Sequence, residues 1–421
     1  MYWLWMIGMI FRVITNLINP EFLGIDSFAY LNVAKTGILQ DYTFLSVSTK
    51  YLGVSITHQI LIILTCFSFG ILYLCCRKIA NKNNSIIATL MYMFSPLVFF
   101  NTSIGVYDKN PLTLFMIICI IFCVLYFRRR LLIISLIILM ILFCFMWQGA
   151  IAMWLLLSFF FFIESFDLPE SFTRSVIIRG LGMSLILIIF ATILKGYKII
   201  QDKFLIMEAR NILQVGFSME YLFFLLCFIL IIATINLEIR SKRFIAINLI
   251  LTFLAFVFIF RFNIFFLPFF YIAMAFLLQS SKLDFKIIFV SFFILVVIFS
   301  PAQYLREPKT NKAIRDMMDY VNEQNHSCII NDWGMGHIYQ YYTNKTVKYK
   351  AHPTDIQDQI RYMVYGKPTE CLIIASTRDY QSLNIVIEHL DMINITPWYI
   401  QHEYNQSPKW VYANRTYWVI E

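Results

Sequence analysis

Charge is what this sequence has least of. Only 14% of its 421 residues are Asp, Glu, Lys or Arg, while 60% are hydrophobic and the mean hydropathy is +0.70. A water-soluble fold of this size needs a charged surface, so that class is excluded. Strand-like alternation of apolar and polar residues is missing from the apolar runs, which excludes a transmembrane barrel. No small-residue cleavage site follows the first apolar run, which therefore reads as a retained helix and not a removed signal peptide. Basic stretches interleaved with aromatics are absent too, and nothing argues for nucleic acid. Internal repeats and low-complexity linkers are likewise missing.

What the chain does have is eleven long apolar runs: Tyr2–Ile18, Ile56–Cys76, Ser85–Phe100, Pro111–Phe127, Leu131–Met146, Ala150–Phe162, Ser175–Leu194, Tyr221–Asn236, Phe244–Phe260, Ile264–Leu278 and Phe285–Phe299. Crossing the hydrocarbon layer takes about 20 apolar residues as a helix. The expected fold is a polytopic α-helical membrane protein. Basic residues in short loops orient it. Arg77, Lys78 and Lys82 form one cluster, Arg128–Arg130 a second, and Arg240, Lys242 and Arg243 a third. With eleven spans all three fall on one side, assigned to the cytoplasm, and the net charge of +9 follows largely from them. Asp26, Asp108 and everything after Pro301 then lie on the opposite side.

Composition divides the chain into a membrane domain, 1–302, and an extracytoplasmic tail, 303–421. The tail alternates expected helices (Asn311–Gln324, Thr354–Tyr365, Leu383–Leu390) with strands (Cys328–Ile330, Leu372–Ala375, Trp398–Gln401, Thr416–Ile420), the pattern of a small α/β layer fold. Seven of nine cysteines lie in or beside apolar runs and act there as small apolar residues. Cys328 and Cys371, each at a strand start, are either a disulfide or two buried thiols. Five N-x-S/T triplets, at Asn325, Asn344, Asn394, Asn405 and Asn414, fit a tail outside the cytoplasm.

Two carboxylates open the chemistry. Asp26, in Gly24-Ile25-Asp26-Ser27-Phe28-Ala29-Tyr30-Leu31, follows the first span; Asp108, in Gly105-Val106-Tyr107-Asp108-Lys109-Asn110-Pro111, precedes the fourth. Each has two readings: an N-terminal helix cap, or a ligand for a divalent cation beside a phosphate-bearing lipid. Capping leaves Asn110 unexplained, whose amide oxygen is a good ligand for Mg²⁺ or Mn²⁺. Arg261 sits at a span boundary, where arginine either snorkels or grips a phosphate. The outer loop Lys195–Glu220 carries Lys195, Lys198, Lys203 and Arg210 against the positive-inside tendency. Either its length tolerates them or they face a lipid phosphate. Asn331-Asp332-Trp333-Gly334-Met335-Gly336-His337 follows a strand as a tight turn, structural or ligand-contacting.

The order of these pieces along most of the chain resembles the catalytic subunit of oligosaccharyltransferase, the membrane enzyme of the C-type glycosyltransferase fold that attaches lipid-linked glycans to asparagine. The apolar runs give about 11 spans, whereas that resemblance implies 13. It implies a Mn²⁺ or Mg²⁺ cofactor, a lipid-linked oligosaccharide donor and an acceptor polypeptide at the membrane lipid surface. Asp26 would bind the metal and help hold the acceptor amide, with Asp108 and Asn110 as further ligands. Arg261, with Lys203 and Arg210, would contact the donor phosphate. Asp332, Trp333 and Gly334 match the last letters of the family's WWDYG motif, and with His337 would face the acceptor; Ile330 and Asn331 replace its tryptophans. The family's outer-loop Glu falls on Gln214, and Glu220 is the nearby carboxylate that would serve in its place. Two other classes stand beside this one. One is a glycosyltransferase using a polyprenyl-monophosphate sugar on a hydroxyl or lipid acceptor. The other is a catalytically silent paralogue or transporter, against which the scarcity of charge within the spans weighs.

Overall fold

A computed structural model describes residues 2–18, 25–37, 43–102, 107–127, 129–146, 153, 156–157, 219–235, 239–258, 263–299, 309–331, 336–349, 371–376, 395–404 and 411–420. The described residues are mostly helical. Helix α1, Tyr2–Ile18, occupies the first apolar run end to end. Helix α2, Ile25–Thr36, starts one residue before Asp26 and ends at Gly37, whose φ of 68° is the left-handed geometry that glycine adopts at least cost.

Helix α3, Phe44–Ile79, begins at Thr43, whose hydroxyl accepts from the Ser46 amide, and is broken at Gly53 with φ 81°. The break separates the first segment, Phe44–Leu52, from the apolar run expected at Ile56–Cys76. Helix α4, Lys82–Phe94, is capped by the Asn81 side chain. Helix α5, Pro96–Thr102, is a short separate piece. The run Ser85–Phe100, read as one span, is therefore two helices, because Pro96 has no N–H and disfavours helical backbone at Ser95. Helices α6 (Asn110–Tyr126) and α7 (Arg129–Met146) follow. Beyond them lie α8 (Met219–Thr234), α9 (Arg240–Phe258), α10 (Asn263–Ser280) and α11 (Leu283–Ile298). The runs Ala150–Phe162, apart from three residues, and Ser175–Leu194 lie outside the described residues.

Helix α10 is the axis of the bundle. It packs against α3, α4, α6, α8 and α9, and its residues from Asn263 to Leu278 are all buried. Rings from several helices meet there: Phe224 packs edge-on to Phe270 at 4.8 Å and Phe266 stacks on Phe256 at 5.2 Å. By length and composition α3 and α10 each suffice to cross a bilayer, and α6 and α8 are shorter apolar helices. Large apolar side chains on α1, α7 and α11, such as Met6, Leu131 and Phe285, are exposed.

The tail forms a mixed sheet. After α12 (Lys309–Glu323) come β1 (Cys328–Asn331), α13 (Gly336–Tyr342), β2 (Thr346–Tyr349), β3 (Cys371–Ser376), β4 (Ile395–Tyr404) and β5 (Val411–Ile420). The strand order is β2-β1-β3-β5-β4, parallel across the first three and antiparallel across the last two pairs. Cys328 and Cys371 are register partners on β1 and β3 and form a disulfide, with Cα atoms 4.5 Å apart. The expected helices Thr354–Tyr365 and Leu383–Leu390 lie outside the described residues.

One apolar core joins the tail to the bundle. Ile314, Met317 and Val321 of α12, Ile329 of β1 and Leu372 of β3 pack in a single cluster with Phe28 and Leu31 of α2, Leu45 of α3 and Leu112 of α6. Polar bonds add direction: Asn32 Nδ2 donates to His337 O at 2.8 Å, and Lys35 Nζ donates to Tyr341 O at 2.9 Å and Thr343 O at 2.8 Å. The Lys35 ammonium thus sits at the carbonyl end of α13, where a cation is favoured.

Candidate active site

The Asp108 turn is built by α6. Asn110 and Pro111 open that helix, the position where a missing proline N–H costs nothing. Asp108 is 6% exposed, and its Oδ1 accepts from the Lys109 amide at 2.6 Å. Just before it, the buried Tyr107 amide donates to Ser27 Oγ at 3.0 Å. Ser27 directly follows Asp26. One hydrogen bond therefore joins the two aspartate-bearing segments, each aspartate one residue away from it. The Tyr107 hydroxyl shares a 2.5 Å hydrogen bond with Thr49 Oγ1 on α3, and its ring meets His58 edge-on at 5.7 Å. Burial raises the Tyr107 phenol above its usual range, so it stays a neutral donor. Asp26 belongs to α2 by its backbone; its side chain lies outside the described part.

Asparagines tie this turn to the bundle axis. Asn101 Oδ1 accepts from Asn110 Nδ2 at 3.1 Å, while Asn101 Nδ2 donates to Asn263 Oδ1 at 3.3 Å and to Leu97 O at 2.8 Å. Asn263 opens α10, two residues after Arg261. The start of α6, the end of α5 and the start of α10 thus meet at one buried amide.

Glu220, 1% exposed, lies in the first turn of α8. Its Oε1 accepts from Ser95 Oγ at 2.8 Å and Leu97 N at 3.3 Å, and its Oε2 is buried without a hydrogen-bond partner. The carboxyl therefore holds the amino end of α5, roughly 10 Å along the helix from its other end at about 1.5 Å per residue. At that other end Arg12, 2% exposed within α1, donates from Nε to Thr102 O at 3.1 Å and from Nη2 to Thr102 Oγ1 at 2.5 Å. Its guanidinium lies over Phe69, 4.6 Å from the ring centre. Burial pushes the Glu220 carboxyl up to about 8, so it acts at the amino end of α5 as a hydrogen-bond acceptor, while the Arg12 cation at the carbonyl end matches the helix dipole. Arg12 and Asn101 are absent from the motif reading. A lone arginine inside an apolar run was the available signal for the first; no local pattern singles out the second.

His337 lies on α13, three positions after Gly334 in sequence, and its carbonyl is held by Asn32 of α2. The helix that carries Asp26 thus also anchors α13. Asp332, Trp333, Gly334, Gln214, Lys203, Arg210 and Arg261 lie outside the described residues. Among the described residues no three His, Cys, Asp or Glu side chains gather in a metal-binding group. The donors present at the turn are oxygens, the Asp108 carboxylate and the Asn110 amide, and oxygen ligands suit a hard divalent cation.

Solved structures share this arrangement of helices and sheet. ArnT from Cupriavidus metallidurans, bound to undecaprenyl phosphate, matches with a TM-score of 0.62 at 9% identity, over 99% of this chain and 97% of that one. An oligosaccharyltransferase of Archaeoglobus fulgidus, in complex with zinc and sulfate, matches with a TM-score of 0.58 at 12% identity, over 98% and 72%. The archaeal oligosaccharyltransferase AglB, in complex with an inhibitory peptide and a dolichol-phosphate, gives 0.58 at 12% identity, over 91% and 71%. At these identities the likeness defines the fold, which is that of the C-type membrane glycosyltransferases. No family model matches the chain, and no curated protein matches it at a significant level.

Proposed function

We propose that this protein is a membrane glycosyltransferase that moves a glycan from a polyprenyl or dolichyl (pyro)phosphate donor to the asparagine of an acceptor polypeptide, with Mn²⁺ or Mg²⁺ as cofactor. Its membrane domain spans 1–302, and its tail, 303–421, lies outside the cytoplasm together with Asp26 and Asp108. The observation that carries the reading is the Ser27–Tyr107 hydrogen bond, which joins the segments that bear Asp26 and Asp108 although they are distant in sequence. The fold shared with lipid-phosphate-binding glycosyltransferases supports the same conclusion.

An amide nitrogen is a poor nucleophile because its lone pair is conjugated with the carbonyl. Asp26 and Asp108, accepting its two hydrogens, would twist it out of that conjugation. Asp26, Asp108 and Asn110 would hold the divalent cation, which when bound supplies positive charge to the leaving phosphate. Arg261, Lys203 and Arg210 would grip the donor phosphate, guanidinium groups being suited to bidentate contact. Asp332, Trp333, Gly334 and His337 would line the acceptor side, with Gln214 in the family's outer-loop position. Glu220 supports the site by holding α5. The test is mass spectrometry of an acceptor peptide incubated with the protein, lipid-linked glycan and Mn²⁺. Modified asparagine in an N-x-S/T peptide supports the reading; an unmodified peptide with intact donor refutes it.

The runner-up uses a polyprenyl-monophosphate sugar and a hydroxyl or lipid acceptor. It is favoured by the match over nearly the whole of both chains to ArnT with its bound undecaprenyl phosphate. An O-linked or lipid product in the same assay selects it.

A further inference from the structure

Asn101 is 3% exposed and places three hydrogen bonds on one side-chain amide. A primary amide carries two N–H donors on one side and an accepting oxygen on the other. Leu97 O and Asn263 Oδ1 take the donors, so only the oxygen faces α6. That oxygen can accept but not donate. Asn110 must therefore turn its own NH₂ toward Asn101, as the 3.1 Å bond records. The Asn110 amide is planar, and fixing its nitrogen edge on α5 turns its carbonyl oxygen to the opposite edge.

We propose that Asn101 is a positioning residue that sets the amide face of Asn110, so that oxygen and not NH₂ is presented to a divalent cation. This rests on reading Asp108 and Asn110 as cation ligands. The wrong face would offer N–H dipoles to a positive ion, so orientation decides whether Asn110 helps or opposes binding. The same side chain also ties that choice to α10, because Asn263 takes one of the two hydrogens that force Asn101 to present its oxygen.

The experiment measures Mn²⁺ binding to the purified full-length protein by electron paramagnetic resonance, which reads affinity without any turnover. Asn101→Ala should weaken Mn²⁺ binding by about tenfold or more, the usual loss when a partner orienting a metal ligand is removed. Asn110→Asp supplies the decisive background. A carboxylate presents oxygen on both edges and has no NH₂ to misplace, and its near edge meets the Asn101 oxygen as a second acceptor, so Asn101→Ala should not weaken affinity there, a non-additivity that marks direct coupling. Asn101→Leu, which fills the vacated volume, replaces the alanine variant if that one does not fold. Equal weakening in both backgrounds would mean a general structural role and overturn the proposal, as would wild-type affinity for Asn101→Ala. Asp108→Ala separates the underlying reading: undiminished Mn²⁺ binding there refutes the cation site itself, whatever Asn101 does.

Discussion

Replacing Ser27 by alanine removes one oxygen atom and leaves the Tyr107 amide facing a methyl group. Ser27 is 1% exposed and the Tyr107 side chain is wholly buried, so water is a poor substitute acceptor. A buried N–H deprived of its partner costs about 1–3 kcal/mol. The neighbourhood can lower that cost only by letting the Asp108 turn move away from α2. Either outcome disturbs the approach of the two aspartate segments. Taking about 2 kcal/mol as the loss in the reacting arrangement, and about 1.4 kcal/mol per factor of ten, turnover falls roughly 30-fold. Ser27→Thr keeps the hydroxyl and should recover most of it. The assay is the initial rate of peptide glycosylation at saturating donor, with thermal denaturation in the same detergent as the stability control. Turnover of Ser27→Ala within a factor of two of wild type would refute the reasoning, since the bond would then not set the geometry of the site.

Asp108→Ala should abolish transfer while leaving membrane insertion intact, as read by peptide mass spectrometry beside fractionation; wild-type turnover removes the catalytic assignment. Glu220→Ala strands the Ser95 hydroxyl and the Leu97 amide and should destabilise by about 1–3 kcal/mol, whereas Glu220→Gln keeps an accepting oxygen for both and should melt close to wild type. Equal melting of the two variants would show that the carboxyl does not hold α5. Replacing Cys328 and Cys371 together by serine opens a crosslink between positions 43 residues apart and should cost about 2–4 kcal/mol, seen as proteolysis of the tail at lower urea. An unchanged proteolysis profile would mean that the sheet needs no covalent tie.

The helices of the bundle were legible because their cause is local. A bilayer demands a run of apolar residues with all backbone groups paired inside it, and Tyr2–Ile18 shows that run as plainly in the sequence as in α1. Strands β1 and β3 were legible as short apolar segments beside turn residues, within one or two residues of their bounds. The break at Ser95 was less so, because a single proline in an apolar run announces a kink without saying whether the helix resumes. Glu220 was noticed for its charge and given a chemical role, and only its contacts with Ser95 and Leu97 reveal what it holds. Arg12 was hidden among apolar neighbours, and Asn101 had no motif at all.

By itself the sequence determined the class of the molecule: apolar helices, a polar sheet-bearing tail, and two aspartates near helix starts. Those follow from composition and from periodicities a few residues long. Tertiary structure alone decided what meets at the site. Ser27 and Tyr107 are 80 residues apart, and Asn101 and Asn263 are 162 apart, so no local pattern encodes either bond. A buried amide must find a partner wherever packing brings one. Which partner it finds depends on how α5, α6 and α10 close on one another, and that is a property of the assembled bundle.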